Sequence, residues 1–508
     1  MALNPVEQRI AYLGGEWIAF RDNSAARLLV WQVHAAAERL TQAFFAAQKL
    51  PVEYRTGDLF IVFEPPFEHS IQYARELKAA LIGQYEASRD ELVEQGLAAD
   101  WRPAVSSRPD SPAGFIAALC SLGSAYHRHL GSLVAVLLPP TVSDTGAFCG
   151  WLQRAVAAGL PDRLRLLVVD TIEQPRCATL GELDDPRMVV ARPTIDALSM
   201  AQETFAQEMA VGPAGIFRNH LIGLAGLLEK GTADQVKVKA LDALAFARQQ
   251  KWADQEVVVR LLVGGALLKE ARCAEAVKVY EAARVAAETT VAGGHPAGHK
   301  LVLQTWFGQA GAHLASGQER QAFACYEHAA RVAELDRNPL LAIEAQRMAG
   351  YCQTRLGDGE AAAAHCRRAL AGGAQIRPEA RGMTTLPLTA SDLLKVVDGE
   401  RFGLVEQLKR RLDERLAALL RVADEQATLA GPAISQEAAQ VIEDDLARAI
   451  EQAERAAEAD LARIVGAGSE GFRRHFAEAR GLLGSDWPLA GSAGFPALAA
   501  LGSSGHAG

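Results

Sequence analysis

Three short stretches hold residue types that could do chemistry. In Glu64-Pro65-Pro66-Phe67-Glu68-His69, two carboxylates and an imidazole follow an apolar run, where α/β proteins place functional loops at a carboxyl strand end. Glu64, Glu68 and His69 could act there as acids and bases. A rigid Pro-Pro turn flanked by charge and presented to a partner accounts for the same residues with fewer assumptions. Tyr126-His127-Arg128-His129 sets two histidines at i and i+2, which point to different sides of a helix and suit a shared metal poorly. They read as exposed histidines near a helix end. Asp170, after Leu167-Val168-Val169, is a lone acid at a strand end, a common feature of α/β chains. The seven cysteines (Cys120, Cys149, Cys177, Cys273, Cys325, Cys352, Cys366) are scattered, odd in number and never spaced C-x-x-C. They read as small buried hydrophobes in a reducing compartment. No G-x-S-x-G, H-E-x-x-H or kinase-like set occurs, which disfavours the common enzyme classes. This reading assigns no catalytic residue, no cofactor and no metal ligand.

The elements that must position these residues differ between the two halves of the chain. Residues 1–195 carry apolar runs rich in Val, Leu, Ile and Phe at 28–33, 59–63, 133–138, 166–169 and 188–191, each bounded by turn or charged residues. These predict buried strands. Helix-like segments separate them at 36–48, 70–95, 112–130 and 145–158. Strands alternating with helices, most of the strands being continuously apolar, predict an α/β domain of about five mostly parallel strands covered on both faces.

The second half is periodic. Gly317 and Gly357, Ala322 and Ala362, Tyr326 and Cys366, and Ala329 and Ala369 are each forty residues apart, so one register spans two helical pairs. Ala276, Tyr280 and Ala283 reproduce the same offsets upstream, with Ala271 at the position of the turn glycine and Gly293-Gly294-His295-Pro296-Ala297-Gly298 as an intervening loop. Residues 221–228 and 240–247 suggest a further pair. A turn Gly, an Ala five residues on, a larger residue four after that and an Ala three beyond resemble the tetratricopeptide repeat. The period is longer than that family's, and its usual closing proline is missing, Pro339 playing a similar part between units. The resemblance implies an all-α solenoid over residues 196–380, in which Ala at helix crossings permits close approach.

An α/β domain followed by such repeats also resembles, in layout, the STAND signalling nucleotidases and AAA-like modules. That family needs a G-x-x-x-x-G-K-[S/T] phosphate loop. Here Leu28-Leu29-Val30-Trp31-Gln32-Val33 runs into His34-Ala35-Ala36-Ala37-Glu38-Arg39, with neither Gly nor Lys, and the third strand ends at Pro139-Pro140 where an acid would stand. The nearest glycine pair, Gly14-Gly15, has no lysine after it. The resemblance therefore implies a degenerate module that has lost ATP chemistry.

After Gly372-Gly373, residues 381–483 predict long helices forming an antiparallel hairpin or cap, opening near Ser391 as a cap and broken at Gly431-Pro432. Their stripe Leu408, Leu412, Leu416, Leu419 and Leu420 must be buried. Lys409-Arg410-Arg411, Arg415 and Arg421 are interleaved with Glu406, Asp413 and Glu414 and read as a solvated face. Residues 484–508 predict a flexible tail, in which Trp487, Phe495, Leu498 and Leu501 could dock as a peptide. With 508 residues and a formal net charge of −9, the chain is too long for one core and disfavours nucleic acid as a partner. It shows no apolar run long enough to span a membrane and no leader-like N-terminus, which predicts a cytoplasmic protein.

Together these features predict a non-catalytic adaptor or chaperone that grips a protein partner through its repeats. Such a layout suits effector loading in a bacterial type VI-like secretion apparatus, although no motif marks that setting. The alternative is a STAND-like regulatory nucleotidase with an unorthodox or lost nucleotide site. Trp306 reads as structural. The candidate partner-facing residues are Gln304, Gln309, His313, Gln346, Arg347 and Gln353, polar positions offset from the packing stripe of the first helices.

Overall fold

The apolar runs of the first half become strands because each is short, β-branched or aromatic, and closed by turn residues. In the computed structural model, which describes residues 3–50, 52–102, 109–195, 212–431 and 434–489, they are β1 (Leu28–Val33), β2 (Leu59–Phe63), β3 (Leu133–Leu137), β4 (Leu164–Thr171) and β5 (Met188–Ala191). They pair in parallel in the order β2-β3-β4-β1-β5, with Val30 opposite both Val168 and Val190. Alternate side chains face two layers. On one side Leu28, Val30, Phe63, Ala135 and Leu166 pack under α3 (Ser70–Ala87), α5 (Pro112–Ala125) and α6 (Thr145–Ala157), while a short helix, α4 (Arg89–Glu94), follows α3. On the other, Leu29, Trp31, Val134 and Leu167 pack under α1 (Pro5–Arg21) and α2 (Glu38–Ala47).

Helix α1 has no counterpart in the sequence reading. Asn4 caps it through a capping box with Glu7, and its buried face is Ile10, Leu13, Trp17 and Phe20. Gly14 and Gly15 lie inside this helix, so that glycine pair is no loop; a Cβ on Gly14 would touch Tyr54 O at 3.7 Å. At the end of α5 the chain leaves the helix at Ala125, one residue before Tyr126-His127-Arg128-His129. His127 and His129 are exposed, and the Tyr126 hydroxyl donates to Ala98 O at 2.7 Å.

The chain divides into two compact units: the stretch up to Thr204 with Asp413–Glu454, and Phe205–Leu412 with Arg455 onward. The helical region 381–483 is thus shared between them. Within the second unit, paired helices follow one another: α7 (Pro213–Lys230) with α8 (Ala233–Gln249), α9 (Ala253–Lys269) with α10 (Cys273–Ala292), α11 (Gly298–Ala315) with α12 (Glu319–Leu335), and α13 (Pro339–Arg355) with α14 (Gly359–Gly372). This is a helical solenoid, with the parallel sheet at the start of the chain.

One turn geometry joins successive helices. Lys251, Ala271, Gly294, Gly317, Arg337 and Gly357 all have positive φ, between 52° and 83°. In each turn the following amide reaches back five residues, as from Trp252 to Ala247 O, Gln318 to His313 O and Asp358 to Gln353 O, at 2.9 Å. These are Schellman caps, which satisfy carbonyls that a helix end would otherwise leave bare. Ala276, Ala322 and Ala362 are fully buried, as the forty-residue register requires of crossing positions. The larger residue of the second helix fits because a glycine faces it. A Cβ on Gly264 or on Gly308 would stand 2.5 Å from the Tyr280 ring, and one on Gly350 would stand 3.2 Å from Cys366 Sγ.

After the repeats come α15 (Pro378–Arg381), α16 (Leu386–Leu429), α17 (Gln436–Gly466) and α18 (Glu470–Leu483). Helix α16 opens five residues before Ser391, whose hydroxyl donates instead to Pro387 O at 3.0 Å, so Ser391 is no cap. Asp398, with φ −156° and ψ 83°, breaks α16 into two segments. Leu408 and Leu412 are buried, whereas Leu416, Leu419 and Leu420 are half-buried. Trp487 packs on Phe476, and Phe495, Leu498 and Leu501 lie outside the described residues.

Candidate functional site

The carboxyl end of the sheet is the first place to look for chemistry. β1 lies between β4 and β5; the chain leaves it for α2 on one face, while the segment after β4 sends Cys177 and Leu180 into the core of the other. The ends of β1 and β4 thus diverge at a topological switch point, where α/β sheets bind ligands. Here the chain fills that position itself. The Glu173 carboxylate accepts the Ala35 backbone N–H at 3.1 Å and faces His34 Nδ1 at 2.9 Å, and the His34 bond holds its pKa below the usual range. The Ala35 backbone N–H, at the start of the segment that leads into α2, is met by an acid of the same chain.

Asp170 is equally committed. It is fully buried and accepts N–H groups from Thr171, Arg176 and Cys177 at 2.9–3.0 Å, with the Arg176 guanidinium at 3.6 Å. It shapes the loop after β4. Beneath that loop Cys149 Sγ lies 3.4 Å from Arg176 O, and hydrogen bonding to Cys177 lowers the Cys149 thiol pKa.

The Glu64–His69 stretch has a different outcome. Phe67 is buried and bridges to Val142, extending the β2–β3 pairing past the strand ends. His69 is the N-cap of α3: its Nδ1 accepts the Gln72 amide while Gln72 Oε1 accepts the His69 amide. Burial holds its pKa below the ordinary histidine value. Over this helix start lies the arm formed by the end of α16 and the beginning of α17. Asp424 accepts the Ser70 amide at 2.6 Å, Glu443 pairs with Arg75 and lies 3.8 Å from His69 Nε2, and Gln436 donates to Asp110 at 3.2 Å. Arg154 bridges Ser70 Oγ and Thr428 Oγ1, both at 2.9 Å. Asp110 also pairs with the buried Lys78 at 2.6 Å. Glu64 and Glu68 are exposed while His69 is buried as the helix cap, so the three do not form an acid–base set, and the start of α3 meets a segment of the same chain.

On the repeats, the six candidate residues occupy α11 and α13. Gln304 is exposed, and Gln309 is half-buried with its Oε1 unpartnered among the described residues. His313 and Gln353, forty residues apart, lie in equivalent last turns; His313 Nδ1 meets Gln318 Oε1 at 2.7 Å. Gln346 Oε1 meets His365 Nδ1 at 2.8 Å. Arg347 is bound by both oxygens of Glu344 and by Asp392 at 3.4 Å. Burial opposes the Arg347 charge, yet Glu344 and Asp392 hold its pKa above the ordinary value. Trp306 stacks on His328 at 4.5 Å, with the Arg284 guanidinium 4.8 Å from the centre of its ring, a half-buried aromatic held by neighbouring helices. Gly265, Gly311 and Tyr351 take equivalent positions on α9, α11 and α13: a Cβ on either glycine would meet nothing within 4 Å, and Tyr351 is exposed.

No protein-family model matches the chain, and no curated protein matches it. Among solved structures it is similar to a Rap protein complexed with competence and sporulation factor, at 13% identity and a TM-score of 0.32, over 57% of this chain and 79% of that one. It is also similar to a STAND protein with a tetratricopeptide repeat sensor from Pyrococcus horikoshii, at 9% identity and a TM-score of 0.22, over 92% and 94%. Both likenesses are remote. Among the described residues no helix is long and apolar enough to cross a membrane.

Sequence reasoning missed Arg154, Asp424, Glu443 and Glu173 as partners of the regions it singled out. Ser70 and Asp424 are 354 residues apart and His34 and Glu173 are 139 apart, and no local pattern links either pair.

Proposed function

We propose that the chain is a non-catalytic, cytoplasmic protein-interaction scaffold whose repeats hold a protein partner along their first helices. The observation that carries this reading is the row Gly265, Gly311 and Tyr351 beside the exposed Gln304. It repeats across three successive units and leaves the same strip of each first helix accessible. One elongated segment of a partner can touch several units through such a strip. Glu173 on the Ala35 amide supports the absence of nucleotide chemistry, because a phosphate would have to displace a carboxylate already bound there. The setting we favour is an adaptor or chaperone role in effector loading for a bacterial type VI-like apparatus.

Photo-crosslinking side chains placed in the full-length protein test the reading. Placed at Gln304, Gly311 or Gln353, they should capture one common protein in cells, while Val238 and Leu241, exposed on a second helix, should not. Capture confined to the second-helix positions would overturn it. In parallel, calorimetry with ATP or GTP and magnesium should show no saturable binding at micromolar concentration. Saturable binding would favour the nucleotidase alternative.

A further inference from the structure

One face of the α/β unit is covered by the chain itself, and the cover is small and polar. Its apolar centre is Ile71, Ile434 and Ala439, edged by Ala427 and Ile442. Around that centre stand Ser70 with Asp424, Arg154 with Thr428, Asp110 with Gln436, and Arg75 with Glu443. Closure is incomplete. Asp424 is 7% exposed, yet its Oδ2 has no partner among the described residues, and burial raises its pKa. A cavity of about 20 Å³, room for one water, lies between Ser70, Asp110, Arg154 and Gly431. An interface with a small apolar centre and a buried carboxylate oxygen left without a hydrogen bond opens at low cost.

At its base the arm is broken on both sides. Asp398 interrupts α16, and the stretch between Gly466 and Ser469 separates α17 from α18. The two breaks are neighbours, since a Cβ on Gly471 would lie 3.8 Å from Val397 Cγ1. Each restarts its helix with its own cap: Asp398 Oδ1 accepts the Arg401 amide at 3.0 Å and Ser469 Oγ accepts the Phe472 amide at 3.1 Å. Gly399 and Gly466 have open space where a side chain would stand. Backbone that is already interrupted and capped can turn without losing helical hydrogen bonds.

We propose that residues 399–466 are a hinged latch, and that the face beneath its tip is a docking surface for an acidic amphipathic helix of the tip's own chemistry. Such a helix would offer a carboxylate to Arg75, a side-chain oxygen to the Ser70 amide, and a β-branched apolar side chain to Ile71. The tip is the resident occupant, and its release uncovers the surface. This inference does not depend on the repeat-face reading, because the surface lies wholly on the α/β unit.

The test uses the full-length protein and a fluorescent synthetic peptide of residues 420–446. Ile434→Asp, which removes the tip's apolar anchor, should bind the peptide about tenfold or more tightly than the unaltered protein, because a closed latch lowers apparent affinity by its open fraction. Ser70→Pro, which removes the amide that Asp424 caps, combined with Ile434→Asp should abolish that gain. Equal peptide affinity in the unaltered protein and Ile434→Asp would overturn the proposal. Hydrogen exchange on the unaltered protein gives a reading that needs no variant. Amides at the start of α3 and across 436–442 should exchange together and faster than those in the middle of α5. Exchange of both segments only with global unfolding would overturn it as well.

Discussion

The α/β unit and the repeat unit build their cores by opposite means. In the first, large rings fill the space between sheet and helices: Trp31 packs on Phe44 and Phe45, Phe60 on Trp17 and Phe44, and Tyr73 on Trp151 and Phe148. In the second, alanines and glycines let helix backbones approach until a single tyrosine fills the remaining groove. A ring core is tolerant of where its volume comes from and draws it from distant segments. A small-residue core is tolerant of almost no added atom, and its rules repeat along the chain.

Deleting volume should therefore hurt the first unit most. Phe44→Ala leaves a cavity among Trp31, Phe45 and Phe60 and should cost about 3–5 kcal/mol. Denaturation followed by fluorescence should show an earlier transition for Trp17, Trp31 and Trp151, with that of Trp252 and Trp306 unmoved. A common shift of both would mean that the two cores fold as one.

Adding one carbon should hurt the second unit. Gly308→Ala places a methyl 2.5 Å from the Tyr280 ring and should cost about 1–3 kcal/mol. The cost should fall well below that in a Tyr280→Leu background, since the two sites share one contact. Additive costs would show that the ring yields elsewhere.

The repeating turn predicts a smaller pair of effects with opposite signs. Gly317→Ala, at φ 69°, should lose about 1 kcal/mol, whereas Ala271→Gly, at φ 56°, should gain about 0.5 kcal/mol after the added freedom of the unfolded chain is counted. Denaturation midpoints that move the same way for both would contradict a shared left-handed cap.

The finest distinction concerns the arm tip. Burial raises the Asp424 pKa, so its ionised form opposes docking; that opposition is full above the raised value and gone below the ordinary aspartate range. Asp424→Asn should slow hydrogen exchange at the start of α3 near neutral pH, and the benefit should shrink as the pH falls through the raised value and vanish below the ordinary aspartate range. A benefit independent of pH would assign the effect to shape rather than charge.

Much of the architecture was legible in the residues. Strand positions followed from short apolar runs, and the register from alanines and glycines forty residues apart, because both signals lie within a few turns or strands of one another. The turn left-handedness was legible at Gly317 and Gly357 but hidden at Lys251 and Arg337, whose side chains give no sign of positive φ. Helix α1 was overlooked because its Gly14-Gly15 pair weakens the helical pattern, and burial of Trp17 outweighs that weakness.

Sequence alone determined that this chain would form a parallel α/β sheet and a stack of helical pairs, and that no phosphate loop follows its first strand. Local periodicity suffices for such conclusions, since each element is specified by residues it contains. Only the tertiary structure decided that Glu173 would occupy the switch point, that Gly264 and Gly308 would enclose one tyrosine, and that Asp424 would cap a helix 354 residues earlier in the chain. These pairings depend on which surfaces meet after the elements form, and two side chains far apart in sequence carry no mark of each other until packing brings them together.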